Sequence, residues 1–429
     1  MPRPSALSRR PLSASALSRV ILTVATLGVL CGCGVAAPVP TPTSTPTPIA
    51  AGDGVLRIGT LFPSTGNLKF LGPAQVAGVE AAIREINEAG GVLGVPVEVF
   101  HRDTSDASSS KAETSLADLV TKEVDVVIGP SSSTIAERIT PLIVDAGIAM
   151  ISPAATFPSL TGLDDDGYVF RTIPTYAHQG TLLGEVVSED GPVDAAIVYL
   201  DDELGTSLHD AFAASIEAEG SALVAAEDFA AKQESFGSII DSLEAAEPDV
   251  VVLATPGSAA TETKALITAL TAAKLGGSRL WLTSQNTADY SQALKSGMLK
   301  GAHGIIEGAT PGKEFIATLK KSDPALKSYR YAMESYDATI LAALAAIVGE
   351  NDRGESVART LQDVSSGGIK CLSLGECLDV LKTQSDIDYD GVSGPVNFTA
   401  DGDIRPAYYA LYTYNSENKY AFDRGTVGG

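Results

Sequence analysis

Residues Ser131 to Thr134 put four hydroxyls in a row inside "GPSSST", Gly129 to Thr134, between the apolar run Val124–Ile128 and an amphipathic stretch that begins near Ala136. A point where a buried strand hands over to a helix leaves backbone N–H groups without partners. Hydroxyls there either cap the helix or join its free N–H groups in holding an anion. Five further segments have the same character: "FPSTGNLKFLG", "ISPAAT", "LDDELGT", "ATPGSAAT" and "TSQNTADY". Each follows an apolar run, and in an open parallel sheet ligands sit outside the carboxyl ends of the strands. This chemistry belongs to a binding cleft. A Ser-His-Asp set can be assembled on paper from Ser64, His101 and Asp103, but there is no G-x-S-x-G elbow. There is no P-loop. The glycines Gly90, Gly91 and Gly94 follow a helix and precede a strand, the reverse of a dinucleotide site. The reading is therefore not an enzyme, with no cofactor and no metal, since the four histidines are scattered.

The elements that must position these loops alternate regularly. Strands are predicted at Val55–Phe62, Val95–Arg102, Val124–Gly129 and Ala149–Ser152, with helices at Ala74–Ala89, Ser109–Glu123 and Thr134–Ala146 between them. The pattern restarts with helices at His178–Glu189, Thr206–Glu219, Phe236–Ala246 and Ala259–Leu275. Strands at Ala195–Leu200, Ala222–Phe229, Asp249–Ala254 and Arg279–Thr283 alternate with them. Strands alternating with helices imply parallel sheets covered on both faces. Two α/β halves lie in series, joined near Phe170–Thr175, where a proline and polar residues interrupt the pattern.

With 429 residues, 45% of them hydrophobic, the chain can build two or three cores. A formal charge of −23 lacks the basic footprint that nucleic acid requires. Arg3, Arg9, Arg10 and Arg19 precede the apolar run Val20–Leu30, which has the layout of an export signal and is short for a membrane span. The run ends in "LCGC", which resembles a bacterial lipobox with Cys33 as the lipidated residue; ordinary cleavage near Ala36 and Ala37 is the alternative. A Pro/Thr-rich spacer follows, extended and polyproline-like. Cys371 and Cys377, flanking a Gly-containing turn in an exported chain, are expected to form a disulfide.

Three separated stretches carry a resemblance: "RIGTLFPSTGNLKFLGPAQVAGVEAAIREINEAGGVLGVPVEV", "VIGPSSSTIAERITPLIVDAGIAMISPAAT" and "DIDYDGVSGPVNFTADGD". In this order they resemble the type I periplasmic binding proteins, in the branch that serves branched-chain amino acid transporters. The resemblance implies a two-lobed α/β clamp, each lobe a mostly parallel sheet flanked by helices, joined by three crossing hinge segments. It implies a signal peptide over 1–33 and a linker over 34–54. The first lobe would comprise 55–172 plus 311–403, the second 173–310 plus 404–425, with 426–429 a tail. The implied function is capture of a small carboxylate-bearing ligand and its delivery to an ABC permease by a lipid-anchored, extracytoplasmic monomer. A sensor that uses the same clamp to signal to a membrane partner is the alternative.

By the same resemblance, Ser133 and Thr156 hold the ligand's carboxylate, with Ala154 supplying backbone, and Phe70, Leu71 and Tyr331 form an apolar wall. In two places the chain departs from amino acid-binding members. Leu204 stands where an aromatic is usual, and Gln285 stands about where a carboxylate receives the α-ammonium. Asp201 or Asp202 could replace that charge. The carboxylate half of the site is intact and the ammonium half is not, which favours a carboxylate or amide ligand without a free α-ammonium.

Overall fold

The computed structural model describes residues 50–384 and 386–428, which fall in one compact unit, Ile49–Gly429. Cys33, the export signal and most of the spacer lie outside the described residues. The first part runs Arg57–Phe62 (β1), Gly72–Glu88 (α1), Glu98–Asp103 (β2), Lys111–Thr121 (α2), Val126–Ile128 (β3), Ser133–Ala146 (α3), Ala149–Ser152 (β4) and Val169–Arg171 (β5). Its strands form an all-parallel sheet in the order β2-β1-β3-β4-β5. The strand predicted from Val95 starts only at Glu98. Val92 and Val95 exchange backbone hydrogen bonds with each other, and Pro96 has no N–H to give a ladder.

The second part runs Tyr176–Val187 (α4), Asp194–Leu200 (β6), Glu203–Ala218 (α5), Ala222–Phe229 (β7), Gly237–Ala246 (α6), Val250–Ala254 (β8), Ala260–Ala272 (α7), Leu280–Leu282 (β9) and His303–Glu307 (β10). The chain then leaves this sheet for Lys313–Ser322 (α8), Ala332–Val348 (α9), Gly354–Ser365 (α10), Ile369–Cys371 (β11), Leu374–Leu381 (α11), Ile387–Gly391 (β12) and Gly394–Pro395 (β13). It returns as Ala407–Tyr414 (β14) and Tyr420–Gly428 (β15). The second sheet has the order β15-β14-β10-β9-β8-β6-β7, in which β14 pairs antiparallel with both β10 and β15 and the other pairs are parallel. Residues 426–428 are not a loose tail, because they continue β15 and pair with Ala407–Tyr409.

Helices α8 and α9 pack on α1, and α10 packs on α9 and β4, so the late helices cover the first sheet. Ala332 to Ala346 are buried without a break, which is why α9 has no polar stripe. The chain thus passes between the two sheets three times, after β5, after β10 and before β14. The first and third passages are tied by a buried ion pair, Arg171 Nε on Asp403 Oδ1, and Thr161 donates its hydroxyl to the other Asp403 oxygen at 2.8 Å. Cys371 and Cys377 are disulfide-bonded, with Cα atoms 5.1 Å apart. The residues between them are more than a turn: Ser373 caps α11, and its hydroxyl accepts the N–H of Glu376.

Candidate ligand-binding site

β3 and β4 are parallel neighbours, with Ile128 paired to Ile151, so the two loops that follow them emerge side by side. Gly129 has φ +120°, and a Cβ there would stand 2.4 Å from the Leu61 carbonyl oxygen, so only glycine admits this close strand-end turn. Ser133 opens α3, and its buried Oγ accepts the N–H of Thr156 at 3.0 Å and of Phe157 at 3.2 Å. The hydroxyl has thereby taken two amides and keeps its own O–H to donate. Thr156 is buried, and its Oγ1 makes no hydrogen bond among the described residues. Arg171 holds the loop from below, donating to the carbonyls of Phe157 at 2.6 Å and Ala155 at 3.3 Å, on either side of Thr156.

The backbone at Ala154 is less free than expected, since its N–H leans on Ser152 Oγ at 3.4 Å and that of Ala155 at 3.0 Å. The side-chain donors left for an anion are the two hydroxyls, beside the first N–H groups of α3. Ser131 turns away and donates to Gln75 Oε1 at 2.6 Å, while Ser132 occupies the N-cap position without a side-chain bond.

Leu71, Ala154, Ile173 and Tyr331 form a small apolar cluster beside these hydroxyls. Phe70 does not join it; at 59% exposure its side chain points to solvent. A loop residue's apolar character does not reveal which way it faces, and here Leu71 alone turns inward. Tyr331 adopts a left-handed backbone, φ 61°, at the start of α9, and its OH donates to Glu307 Oε1 at 2.9 Å. Burial holds its phenol well above the ordinary value.

On the side of the second sheet, Leu204 lies in the first turn of α5 and belongs to the large apolar core with Tyr176 and Leu208. Asp202 caps that helix, accepting the Gly205 N–H at 2.8 Å, and Asp201 is exposed. Gln285 is partly buried after β9, between Ser284 and Asn286. The Ser159 N–H donates to Glu203 Oε1 at 3.1 Å, and Arg330 Nη2 donates to the Ser284 carbonyl at 3.4 Å, so the strand-end loops of the two sheets touch.

Sequence reasoning missed Glu307 and Arg330. Glu307 ends β10, is buried, and lies 3.5 Å from the Arg330 guanidinium, whose carbon sits 5.0 Å from the Tyr331 ring centre. Glu334 is buried next to them, and burial pushes its carboxyl up to about 8. A strand that ends on an acid just before a glycine was the only local signal.

The paper triad is not assembled. His101 bridges Thr60 Oγ1 at 2.9 Å and Glu80 Oε1 at 2.7 Å, and Asp103 accepts the amides of Ser64, Thr65 and Ser105. That His101 group lines a cavity of about 680 Å³ alongside α1 that contains none of Ser133, Ala154, Thr156 or Tyr331. Among the described residues no group of His, Cys, Asp and Glu could hold a metal ion.

This arrangement, two sheets facing each other through strand-end loops and three passages between them, matches a family model described as periplasmic binding protein over residues 55–418. The chain belongs to the periplasmic binding protein family. The chemotactic signal transduction system substrate-binding protein BasB of Halobacterium salinarum is 26% identical over 356 residues, 80% of this chain and 83% of that protein. Leu/Ile/Val-binding protein homolog 3 of Brucella melitensis is 28% identical over 200 residues, 46% of this chain and about half (53%) of that protein. Among solved structures, the branched-chain amino acid transporter substrate binding protein LivJ of Streptococcus pneumoniae, in complex with isoleucine, superposes with a TM-score of 0.63 at 21% identity. It covers 87% of this chain and 99% of its own. A solute binding protein of an ABC transporter from R. palustris, in complex with benzoate, gives 0.60 at 19% identity, over 86% and 95%. The type I fold expected from the three motifs is thus shown. A periplasmic binding protein holds its substrate without transforming it, and it works outside the cytoplasm.

Proposed function

We propose that this periplasmic binding protein captures a small carboxylate-bearing ligand between two lobes and delivers it to an ABC permease, tethered to the outer face of the membrane through a lipidated Cys33. The first lobe is 55–172 plus 311–403 and the second 173–310 plus 404–428, to the end of β15. The observation that carries the reading is the pair Ser133 and Thr156, held together by the Thr156 backbone N–H donating to Ser133 Oγ at 3.0 Å, with both side-chain O–H groups unspent. Two buried hydroxyl donors give a carboxylate charge-assisted bonds without a competing cation. Leu71, Ala154 and Tyr331 supply the apolar wall.

On the opposite side Asp202 is committed to its helix and Gln285 brings an amide, so an α-ammonium finds no carboxylate at the position usual in amino acid binders. The fold carries both isoleucine and benzoate in the two solved relatives. We place this ligand with the acids that lack a free α-ammonium. Thermal-shift screening of the soluble domain against amino acids, aromatic acids and short aliphatic acids, followed by calorimetry, tests the reading. Submicromolar leucine, isoleucine or valine binding would overturn the ligand class, and the absence of any stabilising carboxylate would overturn the site.

A second reading is favoured by one comparison. The relative that matches most of this chain, BasB, is a substrate-binding protein of a chemotactic signal transduction system. In that reading the closed clamp docks on a membrane signalling partner. Co-purification from membranes separates the two: recovery of a permease and ATPase supports transport, and recovery of a transducer supports sensing.

A further inference from the structure

Three buried polar atoms near the site have no partner: Glu307 Oε2, Arg330 Nε and Ser284 Oγ. They come from three segments far apart in sequence, yet the contacts join them. Arg330 Nη2 reaches both the Ser284 carbonyl at 3.4 Å and Glu307 Oε1 at 3.5 Å. Native proteins leave few buried polar groups unpaired, and three in one place call for an explanation. Tyr331 connects the place to the carboxylate end: its side chain packs with Ala154 and Leu71, while its OH rests on Glu307. One tyrosine ring therefore spans from the Ser133–Thr156 hydroxyls to Glu307. Glu307, Arg330 and Tyr331 also line a cavity of about 420 Å³, within the range that holds small ligands; it does not include Ser133 or Thr156, and Tyr331 is the residue it shares with the apolar cluster beside them.

The charge at this second pole decides what it accepts. Glu307 and Arg330 oppose each other, and Glu334, raised to about 8 by burial, adds no charge near neutral pH. An ammonium group would gain Glu307 but meet Arg330. A second carboxylate would gain Arg330 but meet Glu307. An uncharged group that both donates and accepts satisfies the unpaired carboxylate oxygen and the unpaired guanidinium N–H together.

We propose that Glu307 and Arg330 form the second pole of the ligand site and select ligands whose far end is a carboxamide or ureide. This rests on the reading of Ser133 and Thr156 as the carboxylate pole. The amide N–H₂ donates to Glu307 Oε2, and the amide oxygen accepts from Arg330 Nε. Arg330 Nη2 reaches the carbonyl of Ser284, the residue before Gln285, so the pole borders the segment where amino acid binders place their ammonium partner.

Calorimetry with succinamate, succinate and γ-aminobutyrate tests it, because these acids share a similar length and differ mainly in the far end. Wild-type protein should bind succinamate at least about tenfold more tightly than either of the others, the worth of one or two bonds to charged groups. Glu307→Gln leaves Arg330 unopposed and should move the preference toward succinate. Arg330→Gln leaves Glu307 unopposed and should move it toward γ-aminobutyrate. Each variant is read on its own, after circular dichroism shows it folded, and the wild-type order stands as a test without either. Equal wild-type binding of the three, or an order unmoved in a folded variant, overturns the inference. In that case Thr156→Val decides about the first pole: if it abolishes binding, the carboxylate reading survives alone. If wild-type protein binds none of the three, both fall.

Discussion

Removing the Ser133 hydroxyl should cost the protein twice, for separate reasons. Its Oγ accepts two buried amides, from Thr156 and Phe157, so Ser133→Ala strands both. Each buried amide left unpaired costs about 1 to 3 kcal/mol, and allowing for some relaxation of the loop we expect a loss of about 2 to 4 kcal/mol in folding stability. The loop will not collapse entirely, because Arg171 still grips the carbonyls of Ala155 and Phe157. The same substitution removes a donor to the ligand's carboxylate, worth about 1.5 to 3 kcal/mol, or roughly tenfold or more in affinity. Thr156→Val is the contrast. Thr156 Oγ1 has no protein partner among the described residues, so this near-isosteric change should lower affinity by a similar factor and leave stability almost unchanged. Urea denaturation and calorimetry on the two variants, with the best acid from the screen, read both quantities. If Ser133→Ala unfolds at the wild-type urea midpoint, the hydroxyl is not holding the loop. If Thr156→Val binds like wild type, the hydroxyl pair is not the carboxylate pole.

Three further outcomes are expected. Cys33→Ala should release the protein from the membrane fraction, since two acyl chains give a stable anchor, and a variant that still sediments with membranes would remove lipidation from the picture. Cys371→Ser with Cys377→Ser should cost less than the roughly 3 kcal/mol expected for a loop of about fifteen residues, and a thiol assay on the unfolded, unreduced soluble domain should find none free. Melting temperature should rise as pH falls from about 8.5 to 6.5. Burial raises Glu334 to about 8 and Asp125 to about 7, so their contribution is complete below about pH 4 and is lost as pH rises through those values. Below about pH 6.5 the gain should continue at a reduced slope, because burial lowers His178 to about 4 and its lost contribution offsets one of the two carboxylates. Glu334→Gln should flatten the upper part of the profile, and a wild-type melting temperature that is flat or falls on acidification over that range would refute the assignment.

The alternation of strands and helices up to β9 was legible because most strands there are short apolar runs bounded by turn residues, a local property; β5 was not, since Val169–Arg171 runs into the polar stretch read as the junction. Beyond β9 the pattern weakened for physical reasons. α9 is buried on every side and shows no stripe, α8 is a short helix with a single buried residue, and β14 pairs with β10 across a hundred residues. Ser133 and Thr156, which the resemblance pointed to, come together because two neighbouring strand ends place them side by side. Glu307 and Arg330 could not be found from sequence, because what distinguishes them is a contact between a strand end and a loop that no spacing encodes. Phe70 shows the same limit in reverse, an apolar residue in the right loop that faces solvent. Ser133 also holds the neighbouring loop through two amides, a structural role that residue type alone does not disclose.

The ion pair between Arg171 and Asp403 has a mechanical side. It fastens the first passage between the sheets to the third, with Thr161 as a second fastener, while the passage after Glu307 stands apart and turns at Gly308, φ +83°. Three separate strings would let one body tilt and twist on the other. Two attachments, one of them doubled, define a line, and motion is then a swing about that line, as with a door. Arg171 also carries the carbonyls flanking Thr156, so the doorpost and the ligand loop are one rigid piece. A swing about that line would carry the second sheet's loops toward and away from the Ser133–Thr156 pair without disturbing the pair itself.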